Sequence, residues 1–126
     1  MPKLLVRLRT SAFRSQSGLC YYCGYPMWEK DRDSYSQIYK ISRSQAELFK
    51  CTAEHLLARQ DGGIDSIQNV VAACHWCNQK RHRRKLAPSP VKYRKMVQRM
   101  LRKGGWFCKS IAIHYLERNR LTFPQK

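Results

Sequence analysis

No window of the 126-residue chain holds the roughly 18 consecutive apolar residues that a membrane-crossing helix needs. Its first stretch, MPKLLVRLRTSAFRS, has arginines breaking up the apolar residues. It therefore lacks the continuous apolar core and small-residue cleavage site of a secretory signal. The expectation is a cytoplasmic chain with no membrane partner. Internal repeats and low-complexity tracts are missing as well, and the length suits one domain with a short extension. Acidic residues are scarce, with 8 Asp+Glu against 25 Lys+Arg and a net charge of +17. Such an excess opposes compaction by self-repulsion and seeks a polyanion. The basic residues run along the whole length, so this is no basic tail on a neutral domain. Nucleic acid is the favoured partner. An anionic membrane surface comes second, and a merely soluble or ribosomal-type basic protein is the plain alternative.

A coarse reading divides the chain into a basic segment (1–17), a central domain (18–87) and a basic C-terminal helical extension (88–126). Strand or helix is open for residues 1–17. A tight Cys-x-x-Cys turn lies in GLCYYCGYPM. A short helix is expected at SQAELF, with Ser44 and Glu47 as a capping box. KCTAEHLLA reads as a strand, RQDGG as a turn and IQNVVAAC as a second strand. A second Cys-x-x-Cys turn, CHWC, leads into a helix at NQKRHRRKL. Ser89 and Pro90 look like the cap and first residue of another helix, whose Met96, Val97, Met100 and Leu101 recur at helical spacing. WFCKSIAIHYLERNRL is open between helix and strand.

Cys20, Cys23, Cys74 and Cys77 supply two Cys-x-x-Cys turns. Two such turns can place four thiolates tetrahedrally around zinc, and four protein ligands close the sphere. The expected zinc is therefore structural. Its role would be to offset the modest core of so short a chain. The alternative is a pair of redox or disulfide couples, which a reducing compartment disfavours. His75, inside the second turn, could swap with a cysteine but is more often exposed. Cys51 and Cys108 stand outside the motif and read as small buried apolar residues. Tyr21, Tyr22, Tyr25, Trp28, Trp76 and Trp106 read as packing residues before base-stacking ones.

A second cluster follows another logic. Glu54 and His55 end the first strand, Asn69 begins the second, Asn78 follows the last zinc cysteine, and His82 lies one helical turn later. A carboxylate with a nitrogen or amide oxygen can hold Mg²⁺ or a similar ion. A neutral histidine can take a proton from water. The order EHL…GG…N…AC..CN resembles the HNH endonucleases, the zinc-containing branch of the ββα-metal (His-Me finger) nucleases. The similarity covers roughly Gly18 to Leu86.

The resemblance implies an α+β fold: a small ββα-metal (HNH) core tied by a four-cysteine zinc site, with a basic C-terminal helical extension. It implies that Glu54 and Asn78 hold the catalytic ion, that His55 is the general base and that Asn69 braces the loop that orients it. Colicin-type nuclease domains carry a histidine where this chain has His82, which is either a third ligand or one more side chain facing nucleic acid. Neighbours in a regular strand point to opposite faces. The resemblance thus implies that the strand twists or ends at Glu54–His55.

The implied activity is hydrolysis of DNA phosphodiester bonds with one divalent ion (Mg²⁺, Mn²⁺ or Ni²⁺) and duplex DNA as partner. Lys80, Arg81, Arg83, Arg84 and Lys85 are expected to grip phosphates, and the basic residues from Lys92 to Lys103 to extend that grip or form a solvated face. The rival readings are a non-catalytic zinc-bearing binding module and a nuclease acting on RNA or structured junctions.

Overall fold

The computed structural model describes residues 2–111. At its centre β1 (Cys51–His55) pairs antiparallel with β2 (Val70–Cys74), in the register Cys51 to Cys74 and His55 to Val70. Both strands carry small or β-branched residues, and β2 is buried at Val70, Ala72, Ala73 and Cys74. Small side chains let elements approach closely from both faces. On one side lies α1 (Lys3–Ser15), which settles the open reading of the N-terminal segment as a helix. Leu5 is buried and Leu8, Ala12 and Phe13 half-buried, a helical rather than an alternating spacing. Just past α1, the Gln16 amide donates to Ala72 O at 2.8 Å and accepts from Ala72 N at 2.9 Å. A side chain thus pairs with the outer edge of β2, where Ala72 O also accepts from Tyr21 N at 3.0 Å.

Between the first cysteine turn and β1 the chain forms α2 (Arg32–Tyr39) and α3 (Arg43–Glu47). The sequence reading missed α2, whose N-cap Asp31 accepts from Ser34 N at 3.0 Å. It also misplaced the capping box by two residues. Ser42 accepts from Gln45 N at 3.0 Å while the Gln45 side chain accepts from Ser42 N at 2.9 Å. Glu47 instead pairs with Arg32 at 3.0 Å.

After β2, α4 (His75–His82) starts inside the second cysteine turn, earlier than NQKRHRRKL suggested, because Cys74 caps it. The next helix, α5 (Pro90–Arg102), begins as expected at Ser89 and Pro90 and buries Tyr93, Val97 and Leu101 in the common core. Residues 106–111 of the ambiguous C-terminal stretch are described, with Phe107 and Ile111 in that core; its remainder lies outside the described residues.

The core is aromatic. Tyr25 stacks on Phe49 at 4.7 Å between centroids, and Tyr22 meets Tyr93 edge-on at 4.8 Å. Tyr22 and Tyr25 are buried, and Tyr21, Trp28, Trp76 and Trp106 pack half-buried against them. These six are packing residues first. No described helix is long and apolar enough to cross a membrane.

Candidate active site

The two cysteine turns meet where α4 leaves β2. The sulfurs of Cys20, Cys23, Cys74 and Cys77 all lie within 4.8 Å of one another and are buried. Cys23 Sγ and Cys74 Sγ are 3.9 Å apart. That is far beyond a disulfide bond and close to the roughly 3.8 Å edge of a tetrahedron with zinc–sulfur bonds of about 2.3 Å. All six cysteines are free thiols. Backbone amides of Tyr22 and Cys74 point at Cys20 Sγ (3.4 and 3.3 Å), and the Trp106 indole donates to Cys77 Sγ at 3.4 Å. Such donors stabilise sulfur that carries negative charge.

Burial pushes the thiols of Cys23, Cys74 and Cys77 up. Burial also opposes ionisation of Cys20, but hydrogen bonds from its three neighbours hold that thiol well below its ordinary value. A divalent cation would bind to such a cluster by displacing its remaining thiol protons. The donor set therefore fits a metal such as zinc. His75 is exposed, outside the cluster. Cys51 is buried and its thiol is pushed up to about 12, chiefly by burial, as an apolar filler should be. Cys108 departs from expectation: it is exposed, 3.3 Å from the Ser110 hydroxyl.

Glu54 is 1% exposed, the one buried acid among the described residues. Its Oε2 accepts from the Tyr22 hydroxyl at 3.0 Å and from Arg81 Nη1 at 3.1 Å. Burial, reinforced by the Glu54 charge, raises the Tyr22 phenol far above its ordinary value, so it stays a donor. The other oxygen, Oε1, faces His82 Nε2 at 2.9 Å. Two donors that share one ion at about 2.1 Å each, at right angles, stand about 3 Å apart. The Glu54–His82 pair has that separation, so the donors fit a divalent ion.

Asn78 lies one turn before His82 on α4, and its Nδ2 is held by Thr52 Oγ1 (3.0 Å) and Ala53 O (3.2 Å). Any ligation by Asn78 must use Oδ1.

Arg81 corrects the sequence reading. It is 3% exposed and does not face solvent with the other basic residues. Its guanidinium donates to Glu54, to Pro88 O, to His55 O at 3.1 Å and to Leu56 O at 3.0 Å. Successive carbonyls of a regular strand point opposite ways, so one guanidinium reaching both shows the chain turning after His55. Removing Arg81 would strand the Glu54 carboxylate without its charge partner. Arg81→Ala should therefore cost about 3–5 kcal/mol of folding stability, read as a lower urea midpoint at neutral pH.

His55 makes its contacts away from the Glu54 carboxylate. Its Nε2 lies 2.7 Å from Asp65 Oδ1, in the loop between the strands. Arg59 clamps both Asp65 oxygens at 3.1 and 3.0 Å. The hydrogen bond from His55 and the Arg59 charge lower the Asp65 carboxyl below its ordinary value. Sequence reasoning did not single out Asp65 or Arg59.

Asn69 braces the same loop. Its Oδ1 accepts from Leu57 N at 2.8 Å, and its Nδ2 donates to Leu57 O and Ile64 O at 3.0 Å each. Gly62 closes the 3₁₀ turn Arg59–Asp61 at φ 94°, and a Cβ on Gly63 would sit 1.7 Å from Leu57 O. Both glycines are required there by sterics.

Of the other basic residues expected to meet phosphate, Arg83, Arg84 and Lys85 are exposed, and Lys80 lies over the Trp76 ring at 4.4 Å.

A two-stranded antiparallel hairpin running into a helix, with a four-cysteine cluster at the junction, is the ββα-metal arrangement, and the fold is of the α+β class. Residues 40–84 match the family model described as HNH endonuclease. The matched segment contains both strands, Glu54, His55, Asn69, Asn78 and His82. That segment is similar to an HNH nuclease domain. No curated protein and no solved structure matches the chain.

Proposed function

We propose that the protein is a divalent-metal-dependent endonuclease that hydrolyses DNA phosphodiester bonds. The observation that carries the reading is the Glu54 Oε1–His82 Nε2 pair at 2.9 Å, on a segment that matches the HNH model and ends at the four-cysteine cluster. Zinc is assigned to the cysteines as a structural ion. Glu54, His82 and Asn78 through Oδ1 would hold a separate Mg²⁺, Mn²⁺ or Ni²⁺. When bound, that ion supplies Lewis-acid stabilisation of charge at the scissile phosphate.

The chain's own residues do the rest. His55 Nε2 is engaged with Asp65, so Nδ1 takes the proton from the attacking water. Water oxygen bonds to phosphorus as the bond to the 3′-oxygen breaks; the 3′-oxygen takes a proton from solvent, leaving a 5′-phosphate and a 3′-hydroxyl, and His55 later returns its proton to solvent. Asn69 keeps the intervening loop in shape. Tyr22 and Arg81 hold Glu54 aimed at His82.

Substrate grip is assigned to two basic surfaces. Arg83, Arg84 and Lys85 follow α4. A groove of about 520 Å³ along α5 is lined by Tyr21, Arg94, Lys95, Gln98, Arg99 and Arg102. Among the described residues, no acidic side chain lines it. Gln98 donates to Tyr22 O at 2.6 Å, so the groove adjoins the tyrosine that touches Glu54. An Arg94→Gln/Arg99→Gln variant should bind duplex DNA more weakly. Its log-affinity against log-salt slope should be shallower by about 0.9 per lost contact, measured by fluorescence anisotropy.

A substrate panel tests the class. Labelled duplex DNA, single strands and duplex RNA are incubated with each ion, with and without EDTA. Duplex DNA should be cut fastest, and EDTA should stop the cutting. Cutting of RNA alone would move the assignment to a ribonuclease, and binding without cutting would leave only a zinc-bearing binding module.

A further inference from the structure

A general base is only as good as its tautomer and its aim. In this fold the side chain that sets both for His55 is Asp65. Two groups compete for one ring nitrogen: Asp65 Oδ1, which can only accept, lies 2.7 Å from His55 Nε2, and Arg59 Nε–H, which can only donate, points at it from 3.5 Å. The carboxylate contact is shorter by 0.8 Å and favours the proton on Nε2, which leaves Nδ1 as the bare nitrogen.

Asp65 is in turn fixed. Arg59 Nη2 donates to both of its oxygens, at 3.1 and 3.0 Å, so one guanidinium nitrogen bridges the carboxylate. The main chain around it is also fixed, because Asn69 Nδ2 donates to Ile64 O at 3.0 Å, the carbonyl of the residue before Asp65. Gly63 cannot carry a Cβ, which would overlap Leu57 O. His55 is 14% and Asp65 23% exposed at the side chain, so the contact is partly shielded from water.

We propose that Asp65 is the positioning residue for His55, holding the Nε2–H tautomer and aiming Nδ1, with Arg59 as the clamp that orients Asp65. This rests on the nuclease reading only for what His55 does with its free nitrogen. The tautomer itself can be read without any turnover.

The test uses full-length, zinc-loaded protein with ¹⁵N-labelled histidine, at about pH 8, above the reference value for imidazole. The His55 signals are assigned by their loss in His55→Ala. Wild type should show the Nε2–H pattern, Asp65→Ala a mixture of tautomers, and Asp65→Asn, which keeps an acceptor oxygen, a largely retained Nε2–H pattern.

In cleavage assays Asp65→Ala should lower kcat by about 100-fold with KM within about twofold, and Asp65→Asn should recover part of the loss. Arg59→Gln, at an exposed residue, should give a smaller loss of the same kind. Zinc content and a cooperative melt show that each variant folds. An unchanged Nε2–H pattern in Asp65→Ala, or a wild-type kcat in that variant, overturns the proposal. If the wild-type protein cuts nothing, the nuclease reading fails, and the tautomer comparison still decides the role of Asp65.

Discussion

Cys74→Ser should leave the protein without a cooperative unfolding transition. Cys74 is fully buried, caps α4, and brings its sulfur to 3.9 Å from Cys23. Structural zinc contributes about 10–16 kcal/mol of apparent binding free energy in small domains. A domain of this size has a total stability of about 5–15 kcal/mol. The first term is as large as the second, so losing one ligand removes more than repacking can restore. The +17 charge adds self-repulsion that the core must also overcome. Circular dichroism melts and metal content by mass spectrometry check this together. Wild type should hold about one zinc per chain, and EDTA with heating should give the same loss as the substitution. A sharp melt in Cys74→Ser with no bound zinc would show that the aromatic core suffices alone.

His55→Ala should cut DNA about 10²–10⁴-fold more slowly than wild type in single turnover, with duplex affinity changed less than about threefold. The two effects should separate because affinity for nucleic acid comes chiefly from phosphate contacts, which are proposed for the arginines and lysines on α5 and after α4. The His55 side chain faces Asp65 and the loop; only its backbone carbonyl meets Arg81, and alanine keeps that carbonyl. Removal of the side chain therefore spares the fold. Rapid-quench kinetics on a labelled duplex beside an anisotropy titration of the same duplex reads both numbers.

Much of this arrangement was legible in the residues, where chemistry demands a fixed spacing. The paired cysteines, the Glu54–His55 step and the Asn78–His82 turn each encode a local geometry. Their three-dimensional neighbours are then set by the hairpin. Arg81 was not legible as an internal residue, because a basic run looks alike to the eye on every face of a helix. One signal was present. Arg81 lies four residues after buried Cys77, hence on the inward face, while His82 shares the face of Asn78. Asp65 carried no such signal. It sits in an irregular loop whose course is set by Gly62, Gly63 and the Asn69 amide, so its meeting with His55 follows from turn geometry rather than from any period. The missed helix α2 has mixed polarity and buries only Tyr35, too little contrast for a hydrophobic pattern. Cys108 was misjudged for the opposite reason: a lone cysteine has a burial preference but no pattern to confirm it.

The most direct measurement incubates supercoiled plasmid with wild type and with His55→Ala, in Mg²⁺, Mn²⁺ or Ni²⁺ and again with EDTA, at a concentration where both proteins bind. Wild type with a divalent ion should give nicked or linear plasmid, none should form with EDTA, and far less should form with His55→Ala. Plasmid left intact by bound wild type under every ion, or cut equally by the two proteins, would contradict it.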